Sequence, residues 1–240
     1  MSSYVFDING LRVQAAYGDR FVRGRVRQLL RRWQEKQREG ERLIIFLAAP
    51  PATGKSTLAA LFEHEAKMIG IPFQALGMDG FHHRQSYIET HTVMREGRHV
   101  PMKQVKGCPE SFDFARLHAF VRRLRHEETM MWPWYDRQLH DVRDDWIKVT
   151  APLVMIEGNY LLLDEAPWRS LRPLCDASLF LEADMSQLQE RLVERKIRGG
   201  MMPHEALAFA SGSDMQNARR VLAHRLPADE TIAQAEIEAR

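Results

Sequence analysis

One stretch decides the fold: Leu43-Ile44-Ile45-Phe46-Leu47-Ala48-Ala49-Pro50-Pro51-Ala52-Thr53-Gly54-Lys55-Ser56-Thr57. It begins with an apolar run of strand type, and a helix-like run from residue 58 to residue 62 follows it. Gly54-Lys55-Ser56 matches the second half of the pattern Gly-x-x-x-x-Gly-Lys-Ser/Thr, and a strand before the pattern with a helix after it is the context that it requires. Backbone N–H groups of such a loop, with the positive end of the helix, hold a polyphosphate. The stretch therefore predicts a phosphate-binding loop.

Individual residues of this loop have separate expected roles at a nucleoside triphosphate. Lys55 is expected to reach the β- and γ-phosphates, and the Ser56 hydroxyl to ligate Mg²⁺. The residues expected to bind the nucleotide are Ala49, Pro50, Pro51, Ala52, Thr53, Gly54, Lys55, Ser56 and Thr57. Ala49 stands where the pattern has its first glycine, so the turn must be built with a β-carbon present.

The composition is that of one α/β domain with a short extension. The 240 residues carry 34 basic and 32 acidic side chains, and a formal net charge of +2 gives no bulk field that would attract nucleic acid. Cys108 and Cys175 form no Cys-x-x-Cys pair, so neither a disulfide framework nor a zinc site is indicated. No stretch approaches the roughly 20 apolar residues of a membrane span, and no apolar signal core is apparent. We expect a cytoplasmic protein with no nucleic-acid and no membrane partner.

Residues 1–40 are predicted to form an extension to a main domain at 41–240. Asn9-Gly10 between two alternating apolar runs predicts a β-hairpin with a type I′ turn. Apolar residues at helical spacing then predict an amphipathic helix before Gly40. The opposite face of this helix is basic and could meet a membrane or a nucleic acid. Packing of the helix on the main domain, with a solvated arginine face, is the favoured interpretation.

Beyond Gly40, strands and helices alternate as a parallel sheet demands. Strands are predicted at 42–49, 72–78, 152–157, 177–182 and 230–234, and helices at 55–68, 113–127, 186–198, 203–210 and 213–224. The interval from about 80 to 150 is polar and poor in strand pattern, and a long irregular insertion is usually functional. The predicted fold is therefore α/β: a P-loop NTPase three-layer sandwich with a central parallel sheet.

Two of these predicted strands end in acidic residues. Asp79 follows the second strand, and Gly80 is expected to let the backbone turn sharply after it. Glu157 ends the third strand. Ligands of an open parallel sheet bind beyond the carboxyl ends of its strands, where Asp79 can accept a hydroxyl proton and Glu157 can lie near Mg²⁺ or the substrate. Taken alone, each acid also has an ordinary interpretation, as a turn aspartate and as a solvated strand end.

The insertion is expected to hold the phosphoryl acceptor. An apolar wall is predicted from Phe112, Trp132, Trp134 and Tyr135, and hydrogen-bond donors from His83, Lys106 and Arg137. Taken individually, each aromatic residue is more typical of the core than of a ligand wall. The histidines lack a metal-ligand spacing, so zinc is not predicted.

Five motifs stand out along the chain: Pro50–Thr57, Met78-Asp79-Gly80-Phe81-His82, Lys106–Asp113, Tyr135-Asp136-Arg137 with His140-Asp141, and Glu157–Asp164. Together they resemble the motifs of the uridine kinase, pantothenate kinase and phosphoribulokinase superfamily of P-loop kinases. Within the superfamily, the chain is most similar to a bacterial group of uncharacterised kinase-like proteins. The resemblance implies ATP as phosphoryl donor, Asp79 as catalytic base, and a position for Glu157 beside the metal and the acceptor.

The superfamily also closes an arginine-bearing lid over the phosphates, which we expect at about residues 186–210. Arg191, Arg195 and Arg198 share one face of the predicted helix. The resemblance implies that Arg195 offsets charge during transfer and that Arg191 and Arg198 bind the phosphates. Composition alone would favour exposed ion pairs with neighbouring glutamates.

Taken together, the sequence predicts an ATP- and Mg²⁺-dependent small-molecule kinase that transfers the γ-phosphoryl group to an alcohol. A sugar or sugar phosphate is slightly preferred as acceptor over a nucleoside or a pantothenate-like alcohol. The alternative is a nucleotide-binding regulatory switch without an acceptor, for which Ala49 is the best support. An adaptor built on the basic N-terminal helix is a further alternative, and a homodimer is a possible assembly.

Overall fold

The computed structural model describes residues 1–95, 97–198 and 200–238, without the side chains of residues 195, 196, 198, 209 and 211. Its strands, numbered in chain order, are β1 (Ser2–Ile8), β2 (Leu11–Tyr17), β3 (Leu43–Ala48), β4 (Phe73–Gly77), β5 (Thr92–Arg95), β6 (Arg98–Pro101), β7 (Met130–Asp136), β8 (Asp141–Val149), β9 (Leu153–Gly158), β10 (Ala177–Leu181) and β11 (Glu230–Ile232). Its α-helices are α1 (Asp19–Phe21), α2 (Arg27–Lys36), α3 (Lys55–Met68), α4 (Gln85–Thr90), α5 (Phe114–Leu124), α6 (Met185–Arg198), α7 (Pro203–Phe209), α8 (Met215–Ala223) and α9 (Gln234–Ile237).

A parallel sheet forms the centre of the main domain, with the strand order β11-β10-β3-β9-β4. The chain crosses from β3 to β4 through α3, and β9 is later inserted between these two strands. Leu47, Glu157 and Gly77 are consequently Cα partners in one row across three strands. The row brings the carboxyl ends of β3, β9 and β4 together at one edge, where a ligand of an open parallel sheet binds.

Both faces of the sheet are covered, so that its inner strands are buried throughout. All six residues of β3 are buried. Ile45 and Leu47 belong to a core formed with α1, α2 and α3, whereas Ile44 and Phe46 belong to a second core formed with α5 and the insertion. This alternation across a sheet covered on both sides is typical of parallel α/β proteins. The predicted fold class, a three-layer α/β sandwich of the P-loop type, is confirmed.

The N-terminal hairpin has the turn that its sequence predicts. β1 and β2 pair antiparallel from Ser2 with Tyr17 to Ile8 with Leu11. Asn9 has φ 53° and Gly10 has φ 79°, which are the two positive values that a type I′ turn needs. The hairpin prediction is therefore confirmed.

The helix that follows packs against the main domain. A π-helical turn, Val22–Val26, joins α1 to α2, and the buried face of this helix shares one core with α3. Part of its basic face forms ion pairs within the fold: Arg27 lies 2.7 Å from the buried Glu65 of α3, and Arg25 lies 2.7 Å from Glu230. Arg32 also contacts Glu230. These contacts favour the packing interpretation of the helix.

The expectation of little strand structure between residues 80 and 150 is wrong. β5 pairs with β6 and β7 pairs with β8, each as an antiparallel hairpin. The register of β7 shifts between Trp132 and Trp134, around Pro133, which has no N–H group to donate to a ladder. This irregularity interrupts the two-residue period by which a strand is detected in sequence. In the described part of the chain, no helix has the length and apolarity that a membrane span requires.

Candidate active site

The predicted phosphate-binding loop follows β3 directly and is closed by its own hydrogen bonds. The Thr53 hydroxyl donates to the Pro50 carbonyl at 3.0 Å, and the Thr57 hydroxyl donates to the Gly54 carbonyl at 2.7 Å. Gly54 has φ 89° and precedes the first residue of α3 without a side-chain cap. A helix that begins in this way leaves its first N–H groups for an anion, and the helix dipole favours the same charge.

Ala49 fits the first-glycine position without strain. Its side chain is fully buried in the core against α3, and it is not among the residues with positive φ. The left-handed conformation in this loop instead occurs at Ala52, with φ 64°, and at Gly54. The β-carbon of Ala49 is therefore compatible with the loop. The alanine at the first-glycine position consequently no longer favours the regulatory-switch alternative over a kinase.

Glu157 connects the loop to the neighbouring strand β9. The Ser56 hydroxyl donates to Oε1 of Glu157 at 2.8 Å, and Nζ of Lys55 lies 3.8 Å from Oε2. Burial raises the pKa of Glu157, while Lys55 acts to lower it. A hydroxyl and a carboxylate are oxygen ligands of the kind that Mg²⁺ takes, and Mg²⁺ completes its octahedron with phosphates and water. Ser56 and Glu157 therefore fit a Mg²⁺ ion, and their role as its ligands stays a prediction.

Asp79 lies in a 3₁₀ helix, Met78–Phe81, immediately after β4. A β-carbon added to Gly80 would lie 2.2 Å from the Pro133 carbonyl oxygen. Gly80 is also not among the glycines with positive φ, so the expected reason for this glycine, a sharp turn, is wrong. Gly80 allows the backbone of β7 to pass directly over the segment that carries Asp79.

Arg137 reaches Asp79 from the end of β7. Its Nη2 donates to Oδ2 of Asp79 at 3.3 Å. Asp79 raises the pKa of Glu157 and Arg137 lowers it, so both groups act on the buried carboxylate of β9. The sequence predicts Arg137 as a hydrogen-bond donor to the acceptor. It does not predict that Arg137 pairs with Asp79, the expected base.

The other predicted acceptor residues lie on the insertion near this pair. Nζ of Lys106 donates to the Gln85 carboxamide oxygen at 2.7 Å and to the His140 carbonyl at 3.1 Å, and it lies 5.2 Å from the ring centroid of Tyr135. Burial lowers the pKa of Lys106. Burial, with Asp79 as the next cause, raises the pKa of Tyr135 to about 12. His83 stacks its ring on Tyr87 at 4.2 Å.

Two aromatic residues predicted as a ligand wall belong to the core instead. Phe112 is 4 % exposed and stacks on His82, with ring centroids 3.8 Å apart. Trp132 is 0 % exposed, and its indole N–H donates to the Gly77 carbonyl at 2.9 Å. Both residues support the Asp79 segment from behind, which is the core alternative that each aromatic residue already allowed. Trp134 is half-buried and stacks on Trp146 at 5.5 Å.

His82 is a buried residue for which the sequence predicts no role. Its Nδ1 lies 3.2 Å from the Ser111 carbonyl oxygen. Burial lowers the pKa of His82 to about 4, with Asp79 acting in the opposite direction. His82 is therefore neutral at physiological pH and joins the Asp79 segment to the loop before α5.

The predicted lid begins with α6, which packs on the phosphate-binding loop. Leu188 and Leu192 are buried in a cluster with Met215 of α8, and Ala52 of the loop packs against this cluster. Arg191 is half-buried on α6. The side chains of Arg195 and Arg198 lie outside the described residues, so the predicted roles of the three arginines stay predictions.

Comparison with known proteins gives the class to which this site belongs. A family model described as Phosphoribulokinase / Uridine kinase family matches residues 44–199. The chain belongs to this family, which consists of P-loop small-molecule kinases, and the resemblance found in the sequence is confirmed. The match includes the phosphate-binding loop, Asp79, the insertion, Glu157 and all of α6.

Individual relatives extend the likeness beyond the family match. An uncharacterised Escherichia coli protein, YggC, is 41 % identical over 219 residues, which cover 90 % of this chain and 88 % of that protein. A Schizosaccharomyces pombe protein named "putative uridine kinase" is 26 % identical over 222 residues, covering 88 % of this chain and 91 % of that protein. A crystal structure of a "putative fructose transport system kinase" from Silicibacter sp. superposes with a TM-score of 0.77 at 34 % identity, covering 86 % of this chain and 98 % of that one.

Proposed function

We propose that this protein transfers the γ-phosphoryl group of ATP, with Mg²⁺, to a hydroxyl group of a small-molecule alcohol. The observation that carries the proposal is the contact of Ser56 with Glu157 at 2.8 Å, with Lys55 at 3.8 Å from the same carboxylate. It joins the phosphate-binding loop to the end of β9, next to the strand that leads into Asp79. A phosphate clamp, a metal-ligand pair and a candidate base at one sheet edge are the parts that phosphoryl transfer needs.

Each residue has a definite task in this proposal. Lys55 and the loop amides hold the phosphates, and Ser56 with Glu157 holds Mg²⁺, which would offset charge on the phosphates. Asp79 accepts the proton of the acceptor hydroxyl. The acceptor oxygen bonds to the γ-phosphorus, the bond from that phosphorus to the β–γ bridging oxygen breaks, and ADP leaves. The lid arginines Arg191, Arg195 and Arg198 offset the charge that develops.

A sugar or sugar phosphate is our preferred acceptor, ahead of a nucleoside or a pantothenate-like alcohol. The cations Lys106 and Arg137 near Asp79 support this preference, and so does the name of the Silicibacter protein, which refers to fructose transport. We also propose a cytoplasmic location and a homodimer, with the division at residue 40 into an extension and a kinase domain.

Acceptor-stimulated ADP release tests the proposal. Wild-type protein with ATP and Mg²⁺ should release ADP faster when a suitable sugar, sugar phosphate or other alcohol is added. Lys55→Ala should abolish this stimulation while the protein stays folded, and Lys67→Ala, an exposed lysine at the end of the same helix, should leave it unchanged. ATP binding without stimulation by any alcohol of a broad panel would contradict a kinase and favour the regulatory switch.

A further inference from the structure

The ion pair between Arg137 and Asp79 is only half-buried. Its two side chains are 32 % and 26 % exposed, with 3.3 Å between Nη2 and Oδ2. An ion pair with this exposure contributes little to folding stability, because water and salt screen it. Arg137 can therefore change its partner at little cost to the fold.

The turn that carries Arg137 is fixed independently of Asp79. The carboxylate of Asp136 accepts the backbone N–H groups of Gln138 at 2.9 Å and Leu139 at 3.1 Å. The same carboxylate accepts from Nε of Arg143 at 2.8 Å. Loss of the Asp79 contact would therefore leave the backbone beneath Arg137 in place, ready for another anion.

A second cation stands on the same side of the site. Nζ of Lys106 donates to two neutral oxygens, the Gln85 carboxamide at 2.7 Å and the His140 carbonyl at 3.1 Å. Lys106 is half-buried, and burial lowers the pKa of its ammonium group while Asp141 and Glu89 raise it. A partly desolvated ammonium group held by neutral oxygens gains from the arrival of an anion.

Both cations act on one small region. Lys106 and Arg137 each lower the pKa of the buried His82, which directly precedes the loop to α4, while Asp79 raises it. The Tyr135 ring centroid lies 5.2 Å from Nζ of Lys106 and 5.3 Å from the His82 ring centroid, and Arg137 contacts Asp79 at 3.3 Å. Two cationic side chains, Lys106 and Arg137, therefore lie near Asp79 on the side of the insertion.

We propose that the phosphoryl acceptor carries an anionic group, a phosphate or a carboxylate, and that Arg137 exchanges Asp79 for this group when the acceptor binds. The inference rests on the proposed kinase function. A guanidinium group forms paired hydrogen bonds with two oxygens of a phosphate or carboxylate, which a neutral hydroxyl does not offer. Once Arg137 has turned to the acceptor, its 3.3 Å contact no longer occupies Oδ2 of Asp79. The acceptor's own charge would thus draw Arg137 away from an oxygen that can accept the hydroxyl proton.

Matched alcohols that differ only in an anionic group test this proposal. The probes are glycerol, glycerol 3-phosphate and glycerate, with ribose and ribose 5-phosphate as a second set. We expect the kcat/KM of ADP release to be at least about 10-fold higher with an anionic member than with its neutral partner, the scale of one charge-assisted hydrogen bond. Arg137→Gln should lower kcat/KM for the anionic member by a similar factor and so remove most of this preference, with KM for ATP unchanged. Arg169→Gln, which alters an exposed arginine paired with Asp164, is the matched control and should keep the preference.

A measurement of acceptor binding tests the proposed anion contact of Arg137 independently of turnover. With the phosphate-binding loop saturated by ADP and Mg²⁺, glycerol 3-phosphate or glycerate should raise the Tm of the wild type, glycerol should not, and Arg137→Gln should abolish the rise. The phosphate and carboxylate arms then distinguish the two anions. Equal or better turnover with neutral alcohols, or a preference that survives in Arg137→Gln, would overturn the inference while leaving the kinase proposal intact. A lack of turnover with every alcohol would contradict the kinase proposal itself.

Discussion

Substitution of Gly80 by alanine should separate two segments of backbone that meet at the candidate site. The added β-carbon would lie 2.2 Å from the carbonyl oxygen of Pro133, 2.5 Å from its carbonyl carbon and 2.8 Å from the backbone nitrogen of Trp134. Carbon–oxygen contacts normally lie at about 3.3 Å or more, so β7 must retreat by about 1 Å. No rotamer change can relieve this clash, because all three atoms belong to backbone.

The expected cost of this retreat follows from the effects of overpacking. Extra atoms in a well-packed core cost about 1–3 kcal/mol, and a clash with rigid backbone belongs at the upper end. Since about 1 kcal/mol shifts the Tm of a protein of this size by about 2–4 °C, we expect Gly80→Ala to lower Tm by about 6–12 °C. A catalytic group displaced by about 1 Å can lose about 10²-fold in rate, so kcat should fall by a similar factor because Asp79 precedes Gly80.

Gly24 supplies the matched control. It lies in the π-helical turn between α1 and α2, and a β-carbon there would meet nothing within 4 Å. Gly24→Ala should leave Tm unchanged or raise it, because alanine is favoured over glycine in helices. Thermal unfolding and acceptor-stimulated ADP release measure the two effects. A Gly80→Ala variant as stable and as active as Gly24→Ala would refute the close contact of β7 with the Asp79 segment.

Three further predictions follow from the same site. Because burial lowers the pKa of His82 to about 4, the unfolded chain binds more protons between that value and the ordinary pKa of about 6.5. The free energy of unfolding should therefore decrease as pH drops through this window, and it should decrease less in His82→Phe. The same pH dependence of the unfolding free energy in the variant and the wild type would contradict this prediction. Glu157→Gln should raise the Mg²⁺ concentration for half-maximal rate by at least about 10-fold, and an unaltered requirement would exclude Glu157 as a ligand. Hydrogen exchange in α6 and α7 should slow when a non-hydrolysable ATP analogue and an acceptor bind together. Arg195→Ala should reduce kcat more than it reduces ATP affinity. Exchange that does not depend on ligands, together with normal turnover of the variant, would contradict the prediction that this segment is a lid.

Much of the central domain could be predicted from the sequence, because its strands are continuous apolar runs buried on both faces. The helix predicted at 55–68 coincides with α3, Lys55–Met68. The order of the strands could not be predicted in the same way. Nothing local in Leu153–Gly158 indicates that β9 lies between β3 and β4, and this placement is what brings Glu157 to Ser56.

The insertion shows where local patterns lose their predictive power. Pro133 and the register shift around it hide β7, and Trp132 is indistinguishable in sequence from an aromatic residue that lines a ligand site. The pairing of Arg137 with Asp79 joins positions 58 residues apart, so it depends on how the hairpin packs across β4. The close approach to Gly80 is a consequence of the same packing. A single glycine in the sequence indicates only that the backbone is unrestrained there. Whether the glycine allows a turn or a close backbone contact depends on the residues that pack against it in the fold.

The effect of Asp79→Asn on turnover and on ATP binding tests the central claim most directly. Asparagine keeps the shape of the side chain and cannot accept the hydroxyl proton as a carboxylate does. With an acceptor that stimulates the wild type, kcat should fall by about 10²-fold or more, while the Kd for ATP measured by calorimetry should stay near the wild-type value. Asp144→Asn, which removes an exposed carboxylate of β8, should change neither quantity. An unchanged kcat with weakened ATP binding in Asp79→Asn would assign Asp79 to the metal or the nucleotide and contradict its role as the base.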